Sequence, residues 1–343
     1  MAMDKNIMDL FQTQFKDDVS VSRVSEDLKG KVIVIYGGNN LGKTYQCSRF
    51  ENPIFIPCEK GMNAVNGAMV LKTRSWADLK KHGRKLASKN FVEALKNGAN
   101  ITLVIDGIER IGNYVKSYLC SKYDVDVIGD ARNGFGCWEE YDNLVWSWVD
   151  NIISLGYTVV FIGHEKEDKK KGKYVIAGDE RAIKPIRDNA DIVAYLVPNG
   201  LDEEGNEIHS SAYFAETEEF FARSRFNYMP PMIEDFTAEN FKKAVVEGIK
   251  AQNKAEGCEN VTFEQQQEVY GDDSETFEDV VAEIKDLYSS IAETGNETAL
   301  EGYASVVESH LGEGVLVSQA TPKQLEALKC IRDEVSEILD ELD

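Results

Sequence analysis

The stretch VIVIYGGNNLGKTYQ, residues 32–46, passes from five apolar or aromatic residues through glycines to Lys43 and Thr44. An unbroken apolar run of that length reads as a strand covered on both faces. Directly after it, Gly37-x-x-x-x-Gly42-Lys43-Thr44 is the P-loop pattern in full, placed between a strand and a helix as its chemistry requires. Backbone N–H groups and the helix N-terminus then face the phosphates of a nucleoside triphosphate. Gly37, Gly38, Asn39, Asn40, Leu41, Gly42, Lys43, Thr44 and Tyr45 are therefore the expected ATP-binding residues. Lys43 is expected to reach the β- and γ-phosphates, and the Thr44 hydroxyl to bind Mg²⁺.

Further apolar runs occur at Ile54–Cys58, Ile101–Asp106 and Thr158–Gly163, alternating with helical patterns that begin at Gly42 and cover 76–96, 109–122 and 138–155. Strands of this kind separated by helices predict an α/β fold with a buried, mainly parallel sheet. From Ile192 to Phe226 the pattern becomes strand, turn, strand, an antiparallel meander at the sheet edge, after which strands are expected to stop. In ITLVIDGIER (101–110) the run ends on Asp106, the second expected Mg²⁺ residue, through a bound water. Hydrolysis also needs a group that orients and activates water. Gly107 stands directly after Asp106 and cannot serve, so Glu59, closing PIFIPCEKG (53–61) at a neighbouring strand end, is the candidate.

The net charge of −22 is unevenly spread: residues 226–343 hold 27 of the 60 acidic residues and only 8 of the 38 basic ones. The preceding part is nearly neutral, so the acidity does not exclude a nucleic-acid partner there. Six cysteines, at 47, 58, 120, 137, 258 and 330, show no metal-ligand spacing and read as reduced thiols. No window approaches the roughly 20 apolar residues of a membrane span, and a cytoplasmic protein is expected. Three segments are expected: an amphipathic helix with linker over 1–29, the nucleotide-binding core over 30–235, and an acidic, mostly helical region over 236–343 with a linker near 255–275. In the last of these, Thr321 and Gln324 form a capping box with Pro322 at the first helical position.

A P-loop, a Glu after the second strand and an Asp-ended strand without an adjacent Glu together resemble the RecA/DnaB branch of P-loop ATPases. Over residues 30–235 the order of motifs is most similar to the phage "AAA domain" ATPases, a group that includes single-strand-annealing recombinases of the Sak type. The resemblance implies a RecA-like core and DNA-stimulated ATP hydrolysis, in recombination, annealing or repair on single-stranded DNA. In VVFIGHEKE (159–167), His164 stands where that branch keeps a Gln or His sensing the γ-phosphate. In FFARSRFN (220–227), Arg225 falls at the place of an arginine finger given to the neighbouring subunit of a ring or filament, with Arg223 its companion. A solvated edge strand would show the same alternation.

The resemblance also makes the segment after His164 a DNA-binding loop. Lys169, Lys170, Lys171, Lys173 and Tyr174 combine cations with an aromatic ring there, and Lys184 and Arg187 extend the patch. The same lysines would suit a plain hairpin turn. The Gly-rich segment 123–136 takes the place of the other loop and reads as a gate. A protein partner through the acidic C-terminal region is a further expectation. A DNA-dependent ATP switch, or a replication helicase or loader ATPase with little or no annealing activity, is the alternative reading.

Overall fold

A computed structural model describes residues 5–15, 19–267, 275–340 and 342. Its strands are β1 (Val32–Gly37), β2 (Pro53–Pro57), β3 (Met69–Val70), β4 (Thr102–Asp106) and β5 (Thr158–Asp168), then β6 (Lys173–Ile176), β7 (Ile192–Val197), β8 (Ser211–Tyr213), β9 (Arg223–Ser224) and β10 (Met232–Ile233). They form one sheet in the order β10-β8-β7-β1-β5-β4-β2-β3, with β6 paired to β5 and β9 to β7. Pairing is parallel from β7 to β3 and antiparallel toward β10. This is the RecA-like α/β core with an antiparallel edge. The strands do not stop at Phe226, because β10 adds a last antiparallel rung on β8.

The apolar runs are continuous because the sheet is covered on both faces, and the period of two divides them between two cores. Val32, Val34, Tyr36, Val159 and Phe161 face one side, where the helices Trp76–Leu86, Ile111–Tyr123, Trp138–Ile153 and Glu180–Asn189 pack. Ile33, Ile35, Val160 and Ile162 face the other, against Phe241, Val245 and Ile249 of the helix Ala238–Glu256. Trp148 lies in the first core, whereas Trp138 is surface-exposed.

The second face moves the expected domain boundary. The helix opened by the P-loop is only Lys43–Cys47, too short to cover the sheet. The Ala238–Glu256 helix does so instead, with Phe50 stacked on Phe241 and the Gln46 amide oxygen accepting from Ala238 N at 3.1 Å. Residues 257–267, expected as part of a linker, also dock on the core. Val261 is buried and bridges Ser25, while the Phe263 ring occupies the space a side chain at Gly30 would need. The first compact unit thus runs to Val269 rather than to 235.

The second unit, Tyr270–Asp343, is helical among its described residues. Helices Phe277–Thr294, Glu297–Leu311 and Leu325–Asp340 bury Val280, Ile284, Leu328, Ile331 and Val335 in a core of their own. Thr321 and Gln324 form the expected capping box. At the other end of the chain the amphipathic helix Lys5–Phe15 leaves Phe11 and Phe15 exposed and stacked on each other. No helix among the described residues is long and apolar enough to cross a membrane, and all six cysteines are free.

Candidate nucleotide site

The P-loop turns at the end of β1, where Gly37 (φ 153), Asn40 (φ 59) and Gly42 (φ 76) take backbone conformations that curl the chain. A side chain at Gly37 would lie 2.9 Å from the Leu196 carbonyl oxygen, so the close packing of β1 on β7 requires glycine there. Lys43 is buried and its Nζ folds back to the carbonyls of Gly37 (3.1 Å) and Gly38. Burial lowers its pKa, against the pull of the Asp106, Glu109, Glu165 and Glu59 carboxylates.

Between β1 and β4 the sheet inserts β5, so the P-loop and Asp106 face each other across the end of one intervening strand. The Thr44 hydroxyl donates to Asp106 Oδ2 at 2.8 Å. The two residues expected to hold Mg²⁺ are therefore together, and a hydroxyl beside a carboxylate is the hard oxygen set that ion takes. Asp106 is 2% exposed. Desolvation pushes its carboxyl up to about 6, with the Glu59 charge adding to the rise, while the Thr44 hydrogen bond and Lys43 oppose it.

Glu59 comes from the end of β2, where Cys58 N donates to the Asp106 carbonyl at 2.8 Å and keeps the two strand ends level. Its side chain lies over Gly107: a Cβ there would stand 2.7 Å from Glu59 Cγ. The missing side chain at 107 and the carboxylate at 59 are thus one arrangement, the first leaving room for the second. His164, where the intervening strand makes its last pair with β1, has Nε2 4.0 Å from Glu59 Oε1. Its Nδ1 is 2.5 Å from Glu109 Oε1, a residue that no sequence motif singles out. That bond raises the His164 pKa, against its burial and the Lys43 charge. The nearest donor atoms of Glu59, Glu109 and His164 all lie within 4.8 Å of one another. They open, with Gly38, Asn39 and Glu165, on a polar cleft of about 930 Å³ that Arg110 and Lys116 also line.

Arg223 and Arg225 are not in this cleft. β9 pairs with the first residues of β7, whereas the P-loop end of β1 pairs with Leu196 near its last, about 10–13 Å further along the strand. Arg223 Nη2 donates to the carbonyls of Arg187, Asp188 and Ala190 (2.8–2.9 Å), capping the helix Glu180–Asn189. Arg225 donates to the Asp188 carbonyl at 3.0 Å and pairs with Asp191 at 3.3 Å, and it remains half exposed.

The lysines after His164 lie on a hairpin. β5 continues to Asp168, turns through Lys169, Lys170 and Lys171, and returns as β6. Those three side chains are exposed, while Lys173 pairs with Glu216 at 2.9 Å. Tyr174 is fixed through its backbone to Glu219 and Phe221, with its ring stacked on Tyr195 and 42% exposed. Arg187 is held by Glu180 and Asp188 rather than offered to a ligand, and Lys184 is exposed. In the segment 123–136, Arg132 is tied to Tyr123 and Glu140, and Phe135 projects into solvent.

Residues 29–226 match the family described as AAA domain. With more than half of its length inside that match, the chain is a P-loop ATPase and belongs to this family. It is 41% identical over 334 residues to the "SPbeta prophage-derived uncharacterized protein YorG" of Bacillus subtilis (strain 168), an alignment covering 97% of this chain and 99% of that one. Among solved structures it is similar to a prototypical ATPase from the type III secretion system of pathogenic bacteria, at 13% identity over 91% of this chain and 80% of that one. The TM-score of 0.32 makes this a likeness too loose to place a residue.

Proposed function

We propose that the protein hydrolyses ATP and couples turnover to single-stranded DNA, in recombination, annealing or repair of the phage type. One observation carries the reading: a single strand, β5, runs from the cleft at His164 into the hairpin whose turn exposes Lys169, Lys170 and Lys171. The residue that faces the terminal phosphate and the cations suited to a nucleic-acid backbone thus belong to one stiff element. The prophage origin of the 41% identical relative supports a phage setting and a bacterial cytoplasm.

In this reading the P-loop and Lys43 bind the triphosphate, and Thr44 and Asp106 hold Mg²⁺, which neutralises phosphate charge when bound. Glu59 orients water, and the stacked, solvent-facing position of Tyr45 against Arg49 suits contact with the nucleotide. Arg225 lies far from its own P-loop yet is half exposed, which suits donation to a neighbouring subunit's site in a ring or filament. A finger of that kind is worth about 10³–10⁵ in rate.

The test is ATP turnover with and without single-stranded DNA, for the wild type, Glu59→Gln, Arg225→Ala and a mixture of the two variants. Stimulation by DNA, two nearly inactive variants and recovered activity in the mixture are expected, because mixed oligomers contain sites with both residues intact. Turnover indifferent to DNA would overturn the coupling. A mixture as inactive as its parts would overturn the shared site.

A further inference from the structure

We infer that Glu109 is a positioning residue for this ATPase: it fixes the His164 ring so that Nε2 faces the terminal phosphate of bound nucleotide. The inference rests on the hydrolysis reading above and adds a residue to it. An imidazole offers two nitrogens, and the partner of one decides what the other presents. Here Nδ1 is taken by Glu109 Oε1 at 2.5 Å, and Nε2 points toward Glu59 and the cleft.

The backbone around this pair is held from two sides. Gly107 (φ 87) turns the chain sharply after Asp106, and Gly107 N donates to the Ile162 carbonyl at 3.1 Å, which sets Glu109 beside the end of β5. On the far side, Ala177 N donates to the His164 carbonyl at 2.8 Å. A Cβ at the next residue, Gly178, would lie 3.2 Å from Glu109 Cα. Residues 177–178 therefore pack on both members of the pair. Glu109 Oε2 is buried with no partner among the described residues.

The charged groups that act most on His164 are Glu109 from the turn after β4, Glu59 from the end of β2, Lys43 from the P-loop and, further off, Asp106, while Arg110, Lys116, Glu165 and Asp179 line the same cleft. The two nearest are carboxylates, and the Glu109 hydrogen bond is the strongest influence on the ring. These surroundings favour the imidazolium form with both N–H groups. Nδ1–H is given to Glu109, and Nε2–H is left to donate to a phosphate oxygen, displacing its weaker approach to Glu59.

The chain has four histidines, so the side-chain nitrogens of ¹⁵N-histidine-labelled full-length protein can be assigned with a His164→Gln control. Expected in the nucleotide-free wild type is an imidazolium at His164 that titrates above the ordinary histidine value. In Glu109→Ala its midpoint falls by at least about one pH unit and kcat falls at least tenfold, while KM for ATP changes less than threefold. Glu109→Gln, which keeps an acceptor for Nδ1–H, recovers part of kcat. An unchanged His164 titration in Glu109→Ala overturns the inference, as does an unchanged kcat. A loss confined to KM, or one matched by loss of folded protein in a thermal melt, overturns it too. If the wild type turns over no ATP, the hydrolysis reading fails by itself. The role of Glu109 then stands if ATP but not ADP moves the wild-type His164 signal and no longer does so in Glu109→Ala, and falls if the variant responds like the wild type.

Discussion

At the scale of single residues, the site holds a carboxyl under tension. Asp106 is almost fully buried and its pKa is raised to about 6, mainly by desolvation. A carboxyl whose folded pKa exceeds its unfolded value stabilises the fold below the unfolded pKa, near 4, and loses that contribution as pH rises through about 6. Asp106→Asn removes the buried charge while keeping an acceptor for Thr44. It should raise the stability of nucleotide-free protein at pH 8 by roughly 2–3 kcal/mol, and the gain should fade as pH drops from 6 to 4. Denaturant midpoints at the two pH values check this, and a gain independent of pH would exclude the desolvation account. That Thr44 and Asp106 come together beside Lys43 was legible because their positions are fixed by spacing along one turn and one strand end. Glu59 was legible only through its strand end, and the reason Gly107 must accompany it appears only in space. Glu109 was not legible at all: its partner lies 55 residues further along the chain.

Elements show a different limit. The central strands could be read directly, because a strand covered on both faces has no polar alternation to obscure it. The helix Ala238–Glu256 could be read as a helix, but its place in the core could not. An amphipathic period says that one face is covered and not by what. Its true partner is settled by the brevity of Lys43–Cys47, which leaves the second sheet face open. Phe241 is fully buried there among Phe50, Phe214 and Phe236. Phe241→Ala should therefore destabilise the nucleotide-binding unit by about 3–5 kcal/mol, measured by denaturant unfolding followed through ATP-dependent protection. A variant as stable as wild type would mean the helix is not part of that core. The hairpin was half legible: its run of lysines marks an exposed turn, but the extension of β5 four residues past His164, which makes the base a strand pair, depends on β6 lying alongside.

For the whole molecule, charge is the organising quantity. The exposed Lys169, Lys170 and Lys171 sit in the nearly neutral part, while the excess acidity belongs to the last third. If these lysines contact phosphates, replacing all three by glutamate should weaken single-stranded DNA binding and lower the slope of log affinity against log salt by about two, since each released contact on a single strand contributes about 0.7. Turnover without DNA should stay near the wild-type value. Titrations of labelled oligonucleotide at several salt concentrations measure both, and an unchanged slope would place the contacts elsewhere.

Asp191 joins the foot of β1 to Arg225 in a way that reaches past one chain. One of its oxygens accepts from Val32 N at 2.8 Å, at the foot of β1, and the other pairs with Arg225. Should Arg225 be drawn away toward a neighbour's nucleotide, the anchor of β1 would lose one cationic neighbour and keep the other, the buried Lys31, and the P-loop is the far end of that same strand. Under the shared-site proposal, this one carboxylate is where the state of a neighbouring site would reach the strand that carries the P-loop.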